Sequence, residues 1–335
     1  MRLLIITQTV DSIDPILGFF HDWIRAFASR FESVVVLAQS VGSSSLPHNV
    51  MLVDLGKDTG KSKGMQTVSF WKEIVARRAE YDIVFVHMTP IWVLLGAPFW
   101  ILLRKPMYLW YEIKRGSWKL TIASFFVKKI FAASEHGLPT VNRKQVTVGH
   151  GIDCAKFVPA PEKREKNHLI AVGRVTTIKH YEVLARAVSK LPHCTLTIAG
   201  GTITKSDKET EHALKELFHS LGIADRIEMG WVSPNDIQTL FQRADCMVHA
   251  SQGGLDKVVL QAMACGCPVV STSEAAKSVL PPECHATPAT MAEKVEALLA
   301  LSPEKRDTLS RELRSIVERD HSLSQCIDRI VFSMQ

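Results

Sequence analysis

Ser251-Gln252-Gly253-Gly254-Leu255-Asp256-Lys257-Val258-Val259-Leu260-Gln261-Ala262-Met263-Ala264-Cys265-Gly266-Cys267-Pro268-Val269-Val270 reads as a glycine-bearing loop, a helix, a stop at Gly266 and a buried strand starting at Pro268. Loop, helix and buried strand in that order are the unit of an α/β domain built on a parallel sheet. A loop entering a helix at the C-terminal edge of such a sheet offers backbone N–H groups and the positive end of a helix dipole, which suits a phosphate.

Outward from this segment the same alternation fills the chain. Apolar runs predict strands over 3–6, 34–38, 51–55, 83–87, 107–110, 129–132 and 145–148, then over 168–172, 195–199, 226–229, 246–249 and 268–271. Amphipathic stretches predict helices over 19–30, 67–78, 117–127, 180–189, 210–219, 235–243, 257–265 and 289–300. A chain of 335 residues exceeds one ordinary core and suits two α/β domains. The charged, proline-bearing stretch from Phe157-Val158-Pro159-Ala160-Pro161 to Asn167 interrupts the periodicity and is the expected hinge. Domains are therefore expected over 1–160 and 161–318, with a C-terminal helix in 319–335 that packs back on the first domain.

Composition excludes several classes. With 46% hydrophobic and 22% charged residues and no repeat, the chain is neither disordered nor a solenoid. Seven cysteines, an odd number, include Cys265-Gly266-Cys267, whose spacing fits neither zinc nor a thioredoxin motif, so a reducing cytoplasm without a metal site is expected. The opening Met1-Arg2-Leu3-Leu4-Ile5-Ile6-Thr7 is too short for a signal-peptide core and reads as a first strand. The net charge of +6 is uneven: residues 1–160 carry 19 Lys/Arg against 12 Asp/Glu, residues 161–335 carry 21 against 22. A basic first half can serve phosphate-bearing substrates or an anionic membrane. No nucleic-acid partner is expected.

The apolar run 91–103 is shorter than the about 18–20 residues needed to span a bilayer, and Pro98 interrupts it. It reads as a buried helix or as a lipid-touching face, because Arg104, Lys105, Lys114, Arg115 and Lys119 follow directly. The second alternative leaves open a peripheral contact with the inner face of the membrane.

Segment 251–270 resembles the signature of the retaining glycosyltransferases of family four, and the likeness continues elsewhere in family order. Gly149-His150-Gly151-Ile152-Asp153 with Phe157 and Pro159 is similar to the end of that family's first domain. Ala171-Val172-Gly173-Arg174, Lys179, Ile198-Ala199-Gly200-Gly201, Met229-Gly230-Trp231-Val232 and Ala244-Asp245-Cys246-Met247-Val248-His249-Ala250-Ser251 follow. The resemblance implies the GT-B fold, two Rossmann-like domains with parallel sheets facing an interdomain cleft. It further implies transfer of a hexose from a UDP- or GDP-sugar to an acceptor hydroxyl with retention, in glycolipid or polysaccharide biosynthesis. The acceptor would be a sugar, a polyprenol-linked sugar or a lipid.

By the same resemblance Arg174 and Lys179 would stabilise the negative charge building on the leaving diphosphate. Two fixed cations can do so without a metal, and neither metal nor cofactor is expected. Gly18, Gly173, Gly254, Leu255, Lys257 and Val258 would line the donor, the N–H groups of Lys257 and Val258 meeting the diphosphate. Asp256 would hold donor-sugar hydroxyls, or else cap the helix that follows it. Gly253 and Gln261 stand where the family carries two glutamates; Gln261 can still hydrogen-bond a ribose diol through its amide. In the first half, His87 ends a strand and is either a site residue or a core histidine. Trp110-Tyr111-Glu112-Ile113-Lys114 lacks the histidine many members place there, and Glu112 is the candidate replacement or else a surface residue. His150 would orient the hinge or bind backbone.

No G-x-G-x-x-G follows the first strand, where Gln8-Thr9-Val10-Asp11-Ser12 stands, so a nicotinamide-dependent dehydrogenase is disfavoured. Two alternatives to a transferase remain: a nucleotide-sugar-binding protein that has lost turnover, motivated by Gly253, Gln261 and Ile113, and a sugar-nucleotide epimerase.

Overall fold

A computed structural model describes residues 1–14, 16–114 and 116–335. Arg115, one of the basic residues after the apolar run, therefore lies outside the described residues. The chain divides into two compact units, one of Met1–Gly151 with Leu323–Gln335 and one of Ile152–Ser322.

The first unit holds β1 (Arg2–Val10), α1 (Phe19–Ala28), β2 (Ser33–Val41), β3 (Val50–Asp54), α2 (Lys63–Ala76), β4 (Ile83–His87), α3 (Pro90–Leu102), β5 (Met107–Trp110), α4 (Trp118–Phe126), β6 (Lys129–Ala132) and β7 (Gln145–Thr147). Its sheet is parallel with order β3-β2-β1-β4-β5-β6-β7. Alternate residues of each strand face opposite sides. Leu3 and Ile5 join one core layer, with Phe20, Trp23 and Phe27 of α1; Leu4 and Ile6 join the other, with Phe70 of α2, Trp92 and Trp100 of α3 and Leu120 of α4. Every residue of β4 is buried, as expected for a strand covered on both faces.

The second unit holds β8 (His168–Val172), α5 (Tyr181–Ser189), β9 (Thr195–Ala199), α6 (Lys205–Ser220), β10 (Ile227–Gly230), α7 (Ile237–Arg243), β11 (Cys246–His249), α8 (Lys257–Ala264), β12 (Val269–Ser271), α9 (Glu274–Lys277), α10 (Met291–Leu299) and α11 (Pro303–Ile316). Its five strands are also parallel, in the order β10-β9-β8-β11-β12. The chain then returns to the first unit as α12 (Leu323–Met334), whose Cys326, Ile327, Ile330 and Met334 share a core layer with α1.

The junction lies before the expected hinge. Ile152, Phe157 and Ala160 are buried, and the first two belong to the core of the second unit. Arg314 fixes the same stretch by donating to the carbonyls of Cys154 (3.2 Å), Phe157 (2.9 Å) and Ala264 (2.6 Å). The prolines at 159 and 161 therefore shape a segment packed into the second unit, and the boundary falls between Gly151 and Ile152. At the other end the return falls after Ser322 rather than at 318, because Val317 is part of the second core.

The apolar run 91–103 forms α3, which buries Trp92, Val93, Gly96, Ala97 and Trp100 and exposes chiefly Ile101 and Leu102 at its end. None of the described helices is long and apolar enough to cross a membrane.

Candidate functional site

In an open parallel sheet, loops leave the C-terminal strand edges in opposite directions where the strand order reverses, opening a crevice for ligands. In the second unit that reversal lies between β8 and β11, so the loop 173–180 and the loop 250–256 flank it. The two loops are joined directly: the N–H of Gln252 donates to the carbonyl of Ile178 at 3.2 Å.

The first loop opens on Gly173, whose φ of +142° is disfavoured for residues with a side chain. An added Cβ there would meet Cε of Lys179 at 2.9 Å. The Tyr181 hydroxyl donates to the Gly173 carbonyl at 2.6 Å, and burial, then the charge of Asp256, push that phenol far up. His180, directly after Lys179, is left-handed at φ +50°, a strained position for a residue with a side chain. The lysine therefore leaves a tightly folded turn rather than a loose loop.

Lys179 Nζ donates to Asp256 Oδ2 at 2.6 Å, with 18% and 24% of the two side chains exposed. Asp256 occupies the N-cap position of α8, yet its side chain makes no cap hydrogen bond. Its Oδ2 also lies 2.8 Å from Nε2 of His249. Burial alone would raise this carboxyl, but the His249 hydrogen bond and the Lys179 charge outweigh it and hold the group well below the usual carboxylate range. Asp256 is thus an ionised acid tied to a cation, not an ordinary helix cap.

Arg174 points elsewhere. Its Nε lies 3.7 Å from Oδ2 of Asp207, and 49% of its side chain is exposed. Asp207 is itself fixed by the backbone N–H groups of Ile203 and Thr204, both at 3.0 Å, in the capping box that starts α6. These hydrogen bonds, with the Arg174 charge, lower its pKa. The second cation is therefore anchored at its base and open at its tip.

Gly253, Gly254, Lys257, Val258 and Gln261 are partly buried and Leu255 is buried. The Gly253 N–H lies 3.4 Å from the Ser251 hydroxyl oxygen. Lys257 and Val258 form the first turn of α8, and Gln261 follows one turn later.

In the first unit the order reverses between β1 and β4. His87, 1% exposed, ends β4, lies 3.2 Å from the Thr7 hydroxyl through Nδ1, and stacks on Phe20 at 3.9 Å. Its ring also meets Phe19 and Trp23, an aromatic enclosure that fixes it in the core layer. Glu112 accepts hydrogen bonds from the Ala133 N–H (2.6 Å) and the Ser134 hydroxyl (3.3 Å), and its carboxylate covers Gly137. The group therefore braces the turn after β6. Gly18 is the N-cap of α1; a Cβ would come within 2.6 Å of the Asp14 carbonyl, so its close approach is to backbone. His150 is partly buried beside Trp110, with ring centroids 6.4 Å apart.

The sequence reading assigns no role to His249, which it holds only within the 244–251 likeness, nor to Asp207 and Tyr181. The Thr204-x-x-Asp207 spacing is a visible signal for the capping box, but a lone histidine closing a buried strand gives no sign of its partner. All seven cysteines are free, and burial pushes Cys267 and Cys284 up to about 12, so these thiols stay protonated at neutral pH. Among the described residues no three His, Cys, Asp or Glu side chains are grouped so as to hold a metal ion.

Residues 166–301 match the family described as "Glycosyl transferases group 1". D-inositol 3-phosphate glycosyltransferase of Mycobacterium leprae (strain TN) is 29% identical over 141 residues, 38% of this chain and 33% of that protein. The chain thus spans about a third of the length of these curated relatives. Among solved structures, Anabaena Alr3699/HepE in complex with UDP and glucose superposes with a TM-score of 0.78 at 16% identity, covering 100% of this chain and 99% of that one. A glycosyltransferase from Rickettsia africae gives a TM-score of 0.76 at 15% identity, covering 99% and 97%. The fold is therefore GT-B, and the likeness to family-four glycosyltransferases drawn from the sequence holds.

Proposed function

We propose that this chain, whose residues 166–301 match the glycosyl transferases group 1 family, moves a sugar from a nucleoside diphosphate sugar to an acceptor hydroxyl. The observation that carries the reading is the pairing of Lys179 with Asp256 at the point where the second sheet reverses its strand order. In the reaction the anomeric carbon exchanges its bond to a diphosphate oxygen for one to the acceptor oxygen, and the acceptor proton leaves with the diphosphate. Negative charge grows on the leaving group, and only groups that meet it in the transition state accelerate the step. Lys179 and Arg174 supply two positive charges, and Asp256 sets the first turn of α8 beside Lys179.

Asp256 takes Lys179 and His249 on one oxygen, leaving Oδ1 to accept from a donor-sugar hydroxyl. Gln261 serves the ribose. Retention, a UDP- or GDP-sugar donor, and metal independence belong to the same proposal and follow from the family resemblance. The UDP and glucose bound by HepE support a nucleotide-sugar partner.

A glycolipid role with a sugar, polyprenol-linked or lipid acceptor finds support in α4, whose Trp118, Ile122 and Phe125 form an exposed stripe at helical spacing. From residue 90 to 134 the sequence holds seven Lys/Arg and a single acid, Glu112, which is turned to backbone. Apolar and basic residues together favour an anionic bilayer. The face of α4, rather than α3, is then the membrane contact.

The test is release of nucleoside diphosphate from UDP- and GDP-sugars with sugar and lipid acceptors supplied. Binding without release, as the bare Gly253 position would give, indicates a nucleotide-sugar-binding protein. Interconversion of donor sugars without acceptor indicates an epimerase.

A further inference from the structure

We propose that His249 is a positioning residue of the donor site: it holds Asp256 so that Asp256 holds Lys179. The inference rests on the proposed function for the use of Lys179, and on geometry for the rest.

His249 ends β11, is 4% exposed, and stands in register with Ser271 on the neighbouring β12. Its Nδ1 lies 2.9 Å from the Ser271 hydroxyl oxygen. That oxygen accepts the N–H of Ser273 at 3.1 Å, and on the other side of the ring the ionised Asp256 carboxylate can only accept, which fixes the ring hydrogen on Nε2 and leaves Nδ1 to take the Ser271 hydroxyl proton. Nδ1 is then the acceptor, and Nε2 carries the hydrogen that points at Asp256 Oδ2, 2.8 Å away. A continuous path results: the backbone of residue 273, the Ser271 hydroxyl, the His249 ring, the Asp256 carboxylate, the Lys179 ammonium.

The path matters because a lysine is a point charge on a flexible four-carbon stem. Held only by a surface-like carboxylate it would sample many positions; held by an acid that is clamped to a sheet, it keeps one. A site must hold charged groups within fractions of an ångström to favour a transition state. Asp256 also has a competing use, since an aspartate at an N-cap position ordinarily turns its oxygen to the first-turn N–H groups. Here it makes no such bond, and His249 is the group that draws it away. Without the ring, Asp256 is expected to turn to the helix and release the lysine.

Full-length wild type, His249→Leu and His249→Gln are compared, because glutamine can donate to Asp256 and accept from Ser271 while leucine can do neither. In the ligand-free protein, the Lys179 ammonium followed by 15N NMR is expected to be slow to exchange in wild type and His249→Gln and solvent-averaged in His249→Leu. An unchanged ammonium in a folded His249→Leu protein overturns the proposal. With ligand, UDP and GDP affinity should fall about tenfold in His249→Leu, the scale of losing one hydrogen bond to a charged group, and by under about threefold in His249→Gln. In a Lys179→Ala background His249→Leu should add nothing, since its effect passes through that lysine. Equal loss in both backgrounds overturns the proposal. Should the ammonium respond as expected while wild type binds neither nucleotide, the anchor stands and the transferase reading falls.

Discussion

Lys179 and Asp256, 77 positions apart in sequence, meet at 2.6 Å where the loops after β8 and β11 converge. The pair places a fixed positive charge and an ionised acid side by side at the one strand-order reversal of the second sheet. The proposed function depends on that relationship and on the scaffold that carries it.

Gly173→Ala places a Cβ 2.9 Å from Lys179 Cε at a φ of +142°. Forced into that conformation, the substitution is expected to destabilise the second unit by about 1–3 kcal/mol and to weaken nucleotide binding more than the stability change explains. Urea denaturation and calorimetric titration with UDP and GDP check the two effects; a variant that binds like wild type removes Gly173 from the site.

Glu112 braces the turn after β6 through Ala133 and Ser134. Removing the carboxylate leaves a buried N–H without its acceptor, so Glu112→Ala should cost about 1–3 kcal/mol, with Glu112→Gln losing less. A folded Glu112→Ala protein of unchanged stability but no turnover would instead assign the residue to chemistry.

Asp82 accepts from the Arg2 guanidinium at 2.7 Å and from the Arg2 backbone at 2.9 Å, and the Arg2 hydrogen bond lowers its carboxyl to about 2. A folded pKa below the ordinary value of 3.8 means that the unfolded chain takes up the proton first. The stabilisation is therefore present above about pH 4 and is lost as pH falls towards 2. The melting temperature of wild type should exceed that of Asp82→Asn at pH 7, and the gap should close between about pH 4 and 2. A gap that is constant with pH contradicts the assignment.

Much of this architecture was legible in the residues, and the exceptions have physical causes. Strands such as Ile83–His87, His168–Val172 and Cys246–His249 sit where the apolar runs predict, because a strand buried on both faces must be apolar throughout. Helix α6 begins at Lys205 rather than at 210, since its first turn is polar and is announced by the Thr204 and Asp207 capping box instead of by hydrophobic period. The polar helix α11 is likewise marked only by Ser302 and Pro303 at its start. At the site, Lys179 and Asp256 could each be singled out, but their pairing depends on strand order, which local sequence does not encode. The role of His249 stayed hidden because a histidine closing a buried run looks like core.

The membrane contact makes a separate claim. Phe125 is 75% exposed, and Trp118 and Ile122 share its face. Wild type should sediment with anionic liposomes and less with neutral ones, and Trp118→Ser with Phe125→Ser should reduce that fraction while leaving the fold intact. Equal sedimentation with and without anionic lipid contradicts the contact.

The most direct measurement is nucleoside diphosphate release from a panel of UDP- and GDP-sugars, with acceptors present, by wild type and Lys179→Ala. The account predicts release by wild type and a loss of about a hundred- to a thousandfold in Lys179→Ala, the scale of removing one preorganised group that meets transition-state charge. Wild-type turnover that survives Lys179→Ala unchanged contradicts it.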